Sequence, residues 1–248
     1  MSGAPKDSSY DAVMARNGQI MQAALGVDYA VYESGGIAFD YEGLMAGVGD
    51  TPLLELRNLT ELARRCAPDG FGARILIKDE AANPSGSFKD RRASMSAYQA
   101  KALCYPGIAA ATSGNYGAAV ASQAAMAGLN CIIAQECYDS RAIGQPEILE
   151  KMRKCEALGA EVMQVSVGPE LFYSYLLMLE ETGYFNASLY SAFGIAGVEP
   201  LGVEIVEQCT ARYGKAPEHV IATNAGGGNL TGTARGLRRA GAHATTMY

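Results

Sequence analysis

The first hundred residues mix helical and extended patterns of apolar and polar positions. Tyr10 to Leu25 has apolar residues at helical spacing, and two glycine-containing breaks follow it, Ser34-Gly35-Gly36 and Gly47-Val48-Gly49-Asp50. Further along, Arg74 to Lys78 predicts a short strand, and we expect a helix from about Phe88 to Leu103. This region therefore predicts separate short elements rather than one repeated unit.

From residue 107 onward the pattern becomes regular. Short apolar or alternating runs predict five strands, at Gly107–Ala111, Asn130–Ala134, Glu161–Val167, Tyr184–Ala187 and His219–Thr223. Helical spacing predicts the elements between and after them, namely Tyr116–Ala127, Ile148–Leu158, a helix that Pro169 opens and Gly183 closes, Val198–Tyr213 and Asn229–Ala240. Strands that alternate with helices imply right-handed βαβ units and an α/β fold.

The alternation of predicted strands and helices stops before the C-terminal end of the chain. After Ala240-Gly241 the chain runs to Tyr248 and stops where the next strand is expected. A doubly wound sheet that ended there would expose an unpaired edge. We therefore expect a C-terminally truncated chain.

Charge and composition exclude several classes of function. The formal net charge of −6 argues against a nucleic-acid partner. No run of eighteen apolar residues predicts a membrane span, and the start from Met1 to Asp7 lacks the features of a signal peptide, so we expect a cytoplasmic protein without membrane contact. Six cysteines without a CxxC pair and only two histidines favour neither a metal site nor a Ser-His-Asp hydrolase.

The first candidate for chemistry is Lys89, within Ser85-Gly86-Ser87-Phe88-Lys89-Asp90-Arg91. It follows a run of turn-forming residues and begins a predicted helix, where the helix dipole lowers the pKa of an amine and favours nucleophilic attack. The alternative is an ordinary surface lysine.

Two loops at predicted helix starts are candidate anion sites. Thr112-Ser113-Gly114-Asn115 combines hydroxyl groups with exposed backbone N–H groups, as a carboxylate site requires. Gly226-Gly227-Gly228-Asn229 allows close backbone approach to a phosphate, and it matches neither GxGxxG nor a P-loop. The alternatives are an ordinary helix cap for the first loop and a bare turn for the second.

Together, and in this order, these three motifs resemble the fold-type II enzymes dependent on pyridoxal phosphate (PLP), such as threonine synthase, cysteine synthase and the tryptophan synthase β chain. The resemblance covers about residues 50 to 240. It implies that Lys89 is the catalytic lysine that carries PLP and that Thr112, Ser113, Gly114 and Asn115 bind the substrate's carboxylate. It further implies that Asn115 contacts the cofactor ring and that Gly226, Gly227, Gly228 and Asn229 hold its phosphate.

The resemblance also implies two parallel-sheet α/β domains, the larger one incomplete. Residues 1–50 would form an N-terminal leader, and 51–105 would begin the large PLP domain with the lysine turn. Residues 106–190 would form the smaller α/β domain, and 191–248 would return to the large domain with the phosphate loop. The family's contact to the pyridine nitrogen lies beyond this chain, so no residue receives that role.

Longer sequence segments resemble one kind of enzyme within this family. Ala110–Gln123, Gln135–Ser140, Asn224–Thr233 and Ile37–Tyr41 are similar to β subunits of 2-amino-4-oxopentanoate thiolases. That likeness implies cleavage of 2-amino-4-oxopentanoate with coenzyme A to alanine and acetyl-CoA, in bacterial ornithine breakdown. A small α subunit and a second copy of the chain are the implied partners. An acetyl relay through Cys131 or Cys137 is conceivable, although structural packing is the favoured role for both.

Three alternatives remain open from sequence. The chain could catalyse another PLP reaction, either threonine synthase-like β,γ-replacement or cysteine synthase-like β-replacement. It could be a nucleotide-binding or regulatory α/β module in which Lys89 is inert. It could also be a non-catalytic fragment kept for interactions.

Overall fold

The computed structural model describes residues 7–26, 47–168, 170–188 and 191–248. They divide into two compact units. Unit 1 comprises the described part of 1–46 together with Lys89–Gly197, and unit 2 comprises Gly47–Phe88 and Val198–Tyr248. Two features of the sequence lie outside the described residues. They are the predicted break at Ser34-Gly35-Gly36 and the segment Ile37–Tyr41, which is similar to the thiolase β subunits.

The described helices, in chain order, are α1 (Tyr10–Leu25), α2 (Arg57–Cys66), α3 (Lys89–Ala102), α4 (Asn115–Ala127), α5 (Pro146–Ala157), α6 (Glu170–Thr182), α7 (Ala192–Ala196), α8 (Glu199–Tyr213) and α9 (Gly228–Arg239). A single 3₁₀ turn spans Glu80–Ala82. The described strands are β1 (Leu53–Glu55), β2 (Leu76–Lys78), β3 (Gly107–Thr112), β4 (Asn130–Tyr138), β5 (Glu161–Ser166), β6 (Phe185–Asn186), β7 (His219–Val220) and β8 (Thr246–Met247).

Unit 1 is built on a four-stranded sheet in the order β5-β4-β3-β6, and all of its strand pairs are parallel. Every residue of β3 is buried. Ile108 and Ala110 pack with residues of α3, α4, α5, α7 and the second half of α1, whereas Ala109 and Ala111 pack with the first half of α1 and with α6. Because helices cover both faces, β3 is a continuous apolar run rather than an alternating one.

Parallel strands direct their carboxyl ends to one edge of the sheet, where α/β proteins bind ligands. In unit 1 the loop after β3 leads into α4, and the loop after β4 leads into α5. These two strands pair in register from Gly107 with Asn130 to Thr112 with Gln135. The first turn of α4 and the helix α5 are therefore neighbours at that edge.

Unit 2 has a small core made from its helices and short strands. β1 and β2 pair antiparallel, and β7 and β8 pair parallel. Helices α8 and α9 cross where Gly202 and Gly236 let the two backbones meet, since a side chain at either glycine would overlap the backbone of the other helix. Lys78 on β2 forms an ion pair of 2.7 Å with Glu204 on α8, which ties the strand to that helix.

Most predicted elements are confirmed, and the differences have local causes. β4 extends to Tyr138, beyond the predicted end at Ala134, because the polar Gln135 is buried and its Nε2 donates to the carbonyl of Ile148 at 3.0 Å. The sequence pattern does not predict α2 and α7. The residue that α2 buries is the polar Thr60, whereas Leu59 and Leu62 remain about half exposed, so no apolar pattern marks the buried face of this helix. The predicted opening of α6 at Pro169 lies outside the described residues.

The compact units divide at 88/89 and 197/198, whereas the sequence places domain limits at 105/106 and 190/191. The reason lies in α3, which packs on α4 and α7 and so belongs with the sheet that follows it. The sequence-based assignment of larger and smaller domains stays a prediction. Across the described ranges, no helix combines the length and apolar character that crossing a bilayer requires.

Candidate active site

Lys89 is the first residue of α3 and follows a tight turn. The turn is closed by the backbone N–H of Gly86, which donates to the carbonyl of Asn83 at 2.8 Å, and Gly86 adopts a φ of 89° that favours glycine. The Lys89 side chain is half-buried. Burial lowers its pKa from the ordinary value of 10.5, and the positive charges of Arg92 and Lys151 lower the pKa further. The environment therefore gives Lys89 a larger fraction of neutral, nucleophilic amine than an ordinary lysine has.

The residues after Lys89 are anchored in the interior of unit 1. Asp90 and Arg91 are both fully buried. The Oδ1 atom of Asp90 accepts a hydrogen bond of 3.3 Å from Nε2 of Gln123, so α3 is held against α4 next to the lysine. These contacts fix the start of α3 and with it the position of the Lys89 backbone.

The loop before α4 is organised by Thr112. Its Oγ1 accepts hydrogen bonds from the backbone N–H groups of Gly114 at 2.9 Å and Gly117 at 3.3 Å. Ser113 and Asn115 are exposed, and Gly114 caps α4 without a side-chain hydrogen bond to the first turn. The N–H groups of Gly114 and Gly117 are thus occupied, whereas two exposed polar side chains at the start of α4 remain accessible to an anion.

Gly117 allows this loop to approach the sheet. A Cβ atom there would lie 2.7 Å from Cγ2 of Thr112 and 2.9 Å from Cγ2 of Ile133. Both distances are shorter than carbon atoms tolerate, so only glycine lets the first turn of α4 pack this closely. The conformation of the anion-binding loop depends on that approach.

Lys151 lies beside the loop, and sequence reasoning did not identify it. It stands on α5, and a Cβ atom placed on Gly114 would be 3.3 Å from its Nζ. No motif surrounds Lys151. The one available signal was topological, because the helix after β4 must pass near the helix after β3.

Arg92 is the second residue that sequence reasoning missed. It lies one turn after Lys89 on α3 and is only 8% exposed. Its guanidinium carbon lies 4.5 Å from the centre of the Tyr116 ring, in the first turn of α4. The Nε atom is buried and has no hydrogen-bond partner among the described residues. A pair of adjacent arginines in sequence gave no indication that both of them are buried.

The glycine loop belongs to unit 2 and opens α9. Gly227 has a φ of 83° and precedes the helix without a side-chain cap. A Cβ atom on it would meet only Oδ1 of Asn224, at 4.0 Å, so the space around this turn is open. Nδ2 of Asn229 donates weakly to Thr223, with distances of 3.4 and 3.5 Å. The first-turn N–H groups of α9 can therefore receive a phosphate.

Two cysteines that follow the carboxylate loop in sequence are poor nucleophiles. Cys131 and Cys137 are buried. Burial raises the pKa of Cys131 to about 12, and it also raises the pKa of Cys137. A thiol reacts as its thiolate, so neither side chain is prepared to accept an acetyl group.

Comparisons with known proteins agree on one family. The family model described as "Pyridoxal-phosphate dependent enzyme" matches residues 44–248. A 2-amino-4-ketopentanoate thiolase beta subunit from Acetoanaerobium sticklandii is 64% identical over 98% of this chain and 55% of its own length. A threonine synthase from Halalkalibacterium halodurans is 30% identical over 79% of this chain and 50% of its own length. The chain thus spans about half the length of these curated relatives.

Solved structures share the architecture. A threonine deaminase from T.th. superposes with a TM-score of 0.63 and 30% identity, covering 79% of this chain and 57% of that one. A pyridoxal 5'-phosphate-dependent aspartate racemase gives a TM-score of 0.68 with 20% identity over 88% of this chain and 61% of its own, which supports the fold alone. The predicted α/β architecture of fold type II is confirmed.

Proposed function

The chain belongs to the pyridoxal-phosphate dependent enzymes, and from this premise we propose that it acts as the β subunit of a 2-amino-4-oxopentanoate thiolase. The reaction would be cleavage of that amino acid with coenzyme A to alanine and acetyl-CoA, a step of ornithine degradation. The observation that carries the proposal is the 65% identity over 98% of this chain to a protein named 2-amino-4-ketopentanoate thiolase beta subunit. The two names denote the same carbon skeleton.

The residues present are suited to holding PLP. Lys89 offers a half-buried amine of lowered pKa for the covalent bond to the cofactor's aldehyde carbon. The open turn at Gly226, Gly227 and Gly228, followed by Asn229 and the start of α9, suits a phosphate that needs backbone donors and no side-chain bulk. Asn115 is exposed at the start of α4, and we assign its amide to the oxygen of the cofactor ring.

When PLP is bonded to the substrate's amino group, its ring withdraws electrons from the bonds near the α-carbon and so permits a carbon–carbon bond to break. The chain's own residues would orient that bond. Thr112 holds Gly114 in place, and the loop of Thr112, Ser113, Gly114 and Asn115 binds the carboxylate through its N–H groups and hydroxyls. Lys89 Nζ, once released from the cofactor, would accept or deliver a proton as a free amine.

Coenzyme A would supply the thiol that takes the acetyl group. The raised pKa values of Cys131 and Cys137 support direct attack by the coenzyme's thiol rather than relay through an enzyme cysteine. We further propose a small α subunit and a second copy of this chain as partners, and a cytoplasmic location. The name "beta subunit" of the relatives supports the first of these partners.

The test is to incubate the PLP-loaded chain with 2-amino-4-oxopentanoate and coenzyme A, with and without a thiolase α subunit, and to measure products by mass spectrometry. We expect acetyl-CoA and alanine in equal amounts, and their loss in Lys89→Ala. The alternative is a β- or γ-replacement reaction. Release of the leaving group from an O-acylated or O-phosphorylated hydroxy amino acid, without consumption of coenzyme A, would contradict the thiolase proposal.

A further inference from the structure

The guanidinium of Arg92 is buried in unit 1 without a negatively charged partner. The side chain is 8% exposed, and its Nε atom is buried and has no hydrogen-bond partner in the part of the chain that the structure describes. No ion pair between described residues includes Arg92. Removing a guanidinium from water without a partner is costly, so this charge calls for an explanation.

The neighbours of Arg92 hold its guanidinium in place but do not neutralise it. The guanidinium carbon lies 4.5 Å from the centre of the Tyr116 ring on α4. Burial raises the pKa of that phenol, so Tyr116 stays neutral. On α7, a Cβ atom placed on Gly194 would lie 3.2 Å from Nε and 3.3 Å from Nη2 of Arg92. This close packing leaves no space for a counter-ion between Arg92 and α7.

Arg92 does not serve the stability of α3. It lies in the first turn of the helix, where the positive pole of the helix dipole opposes a cation. Lys89 and Arg91 add two further positive charges to the same turn, against the single carboxylate of Asp90. Contact with an aromatic face offsets only part of the cost of burying an unpaired charge. An apolar side chain of similar size would therefore give an equally stable or more stable fold.

Lys89 is the group on which this charge acts. Residues three apart on a helix share a face, so the side chains of Lys89 and Arg92 are neighbours. Burial is the first cause of the lowered pKa of Lys89, and the positive charge of Arg92 is the next, ahead of that of Lys151 on α5. Because Arg92 is buried, water and salt screen its repulsion of Lys89 less than they would at a surface.

We propose that Arg92 is a positioning residue that acts through Lys89: its unpaired charge raises the fraction of the neighbouring amine that is free to attack the cofactor's aldehyde, and it makes the fold less stable. The inference rests on the proposed function in one respect, namely that Lys89 carries PLP. Groups that lower stability in this way are retained where activity requires them.

The experiment measures how fast Lys89 of the cofactor-free chain reacts with acetic anhydride at about pH 8 and at about pH 11, by peptide mass mapping. The rate at the lower pH reports the fraction of free amine, whereas most lysines are deprotonated at the higher pH and the rate there reports access alone. Arg92→Met should slow the reaction about threefold or more at the lower pH and change it by less than about twofold at the higher pH. Arg92→Lys keeps the charge and should react as wild type at both.

Two references accompany these rates. Lys101 is exposed on the same helix and serves as the internal standard, and Arg65→Met removes a positive charge from the exposed surface of α2 and should leave Lys89 unchanged. Equal slowing at both pH values in Arg92→Met would show that Arg92 only shapes access to Lys89, and it would overturn the proposal. An unchanged rate at the lower pH would overturn it as well.

Unfolding in urea tests the claim about stability. Arg92→Met should unfold at the same urea concentration as wild type or at a higher one, because the variant no longer buries an unpaired charge. A lower unfolding midpoint would show that the fold depends on the guanidinium, and this part of the proposal would then be wrong.

Loading with PLP separates this proposal from the proposed function. Arg92→Met should slow the attachment of PLP to Lys89, followed by the visible absorbance of the cofactor, by a factor similar to that for acetylation. If PLP failed to attach to Lys89 of the wild-type chain, the proposed function would fail, and the acetylation rates would still decide the role of Arg92. Normal attachment of PLP together with acetylation that does not respond to Arg92→Met would leave the proposed function standing and refute the role of Arg92.

Discussion

The amine of Lys89 must lose its proton before it can attack the aldehyde of the cofactor, and its surroundings lower the free-energy cost of that loss. Burial opposes its protonated form, and the nearby cations Arg92 and Lys151 oppose it further. Because the pKa is lowered from the ordinary 10.5, the amine loses its proton at a lower pH than a typical lysine does. The site therefore holds more of the nucleophilic form near neutral pH.

The pH dependence of Lys89 can be measured directly. Competitive acetylation of the cofactor-free chain between about pH 7 and 11, followed by peptide mass mapping, should give a midpoint for Lys89 below 10.5. In Lys151→Met the midpoint should move upward, since a like charge has been removed. A wild-type midpoint at or above 10.5, or one that does not respond to Lys151→Met, would contradict this description of the site.

The cysteines provide a second test at the residue scale. Cys66 and Cys104 are exposed, whereas Cys131 and Cys155 are buried with pKa values raised to about 12 and about 11. Iodoacetamide at pH 8 should therefore label the exposed pair in the native chain and leave the buried pair unlabelled, as mass mapping would show. Labelling of Cys131 at the rate of Cys66 would reopen the possibility of an enzyme-bound acetyl group.

At the scale of elements, the carboxylate loop depends on how closely α4 packs on the sheet. The loop and the helix are linked through Thr112, which accepts hydrogen bonds from both Gly114 and Gly117. Any group that pushes the first turn of α4 outward must therefore also displace the N–H groups proposed to bind the substrate.

Gly117→Ala tests this dependence. The added Cβ would meet Thr112 and Ile133 at 2.7 and 2.9 Å, so we expect a loss of about 1–3 kcal/mol in the free energy of unfolding in urea, together with weaker alanine binding. Gly18→Ala in α1 is the control, because nothing lies within 4 Å of its Cβ position, and it should stabilise the helix by about 0.5–1 kcal/mol. Similar effects of the two substitutions would show that the tight packing at Gly117 is unimportant.

The same elements show how far the sequence could be interpreted. β3 and α4 were predicted because a fully apolar run and an alanine-rich helix have strong local patterns. We did not predict α2 because the residue that it buries is the polar Thr60. We ended β4 too early because a polar glutamine usually marks the end of a buried strand, whereas Gln135 is buried within this one. Local motifs likewise identified Lys89 and its two loops, whereas Arg92 and Lys151 reach the site only through packing of helices distant in sequence.

For the whole molecule, overall charge and local charge give different information. The net charge of −6 gives no indication of the cationic cluster formed by Lys89, Arg92 and Lys151, since Lys151 lies about sixty residues further along the chain than the other two and on another helix. Lys89 and the carboxylate loop belong to unit 1, and the glycine loop belongs to unit 2.

The central claim, that Lys89 carries the cofactor, is tested most directly by loading the chain with PLP, reducing it with borohydride and mapping its peptides by mass spectrometry. Reduction makes the bond between a lysine and the cofactor permanent. We predict one pyridoxyl group, on Lys89, and none in Lys89→Arg, while Lys151→Met still carries the group on Lys89. A pyridoxyl group on another lysine, or a wild-type Lys89 peptide that remains unmodified, would contradict the account.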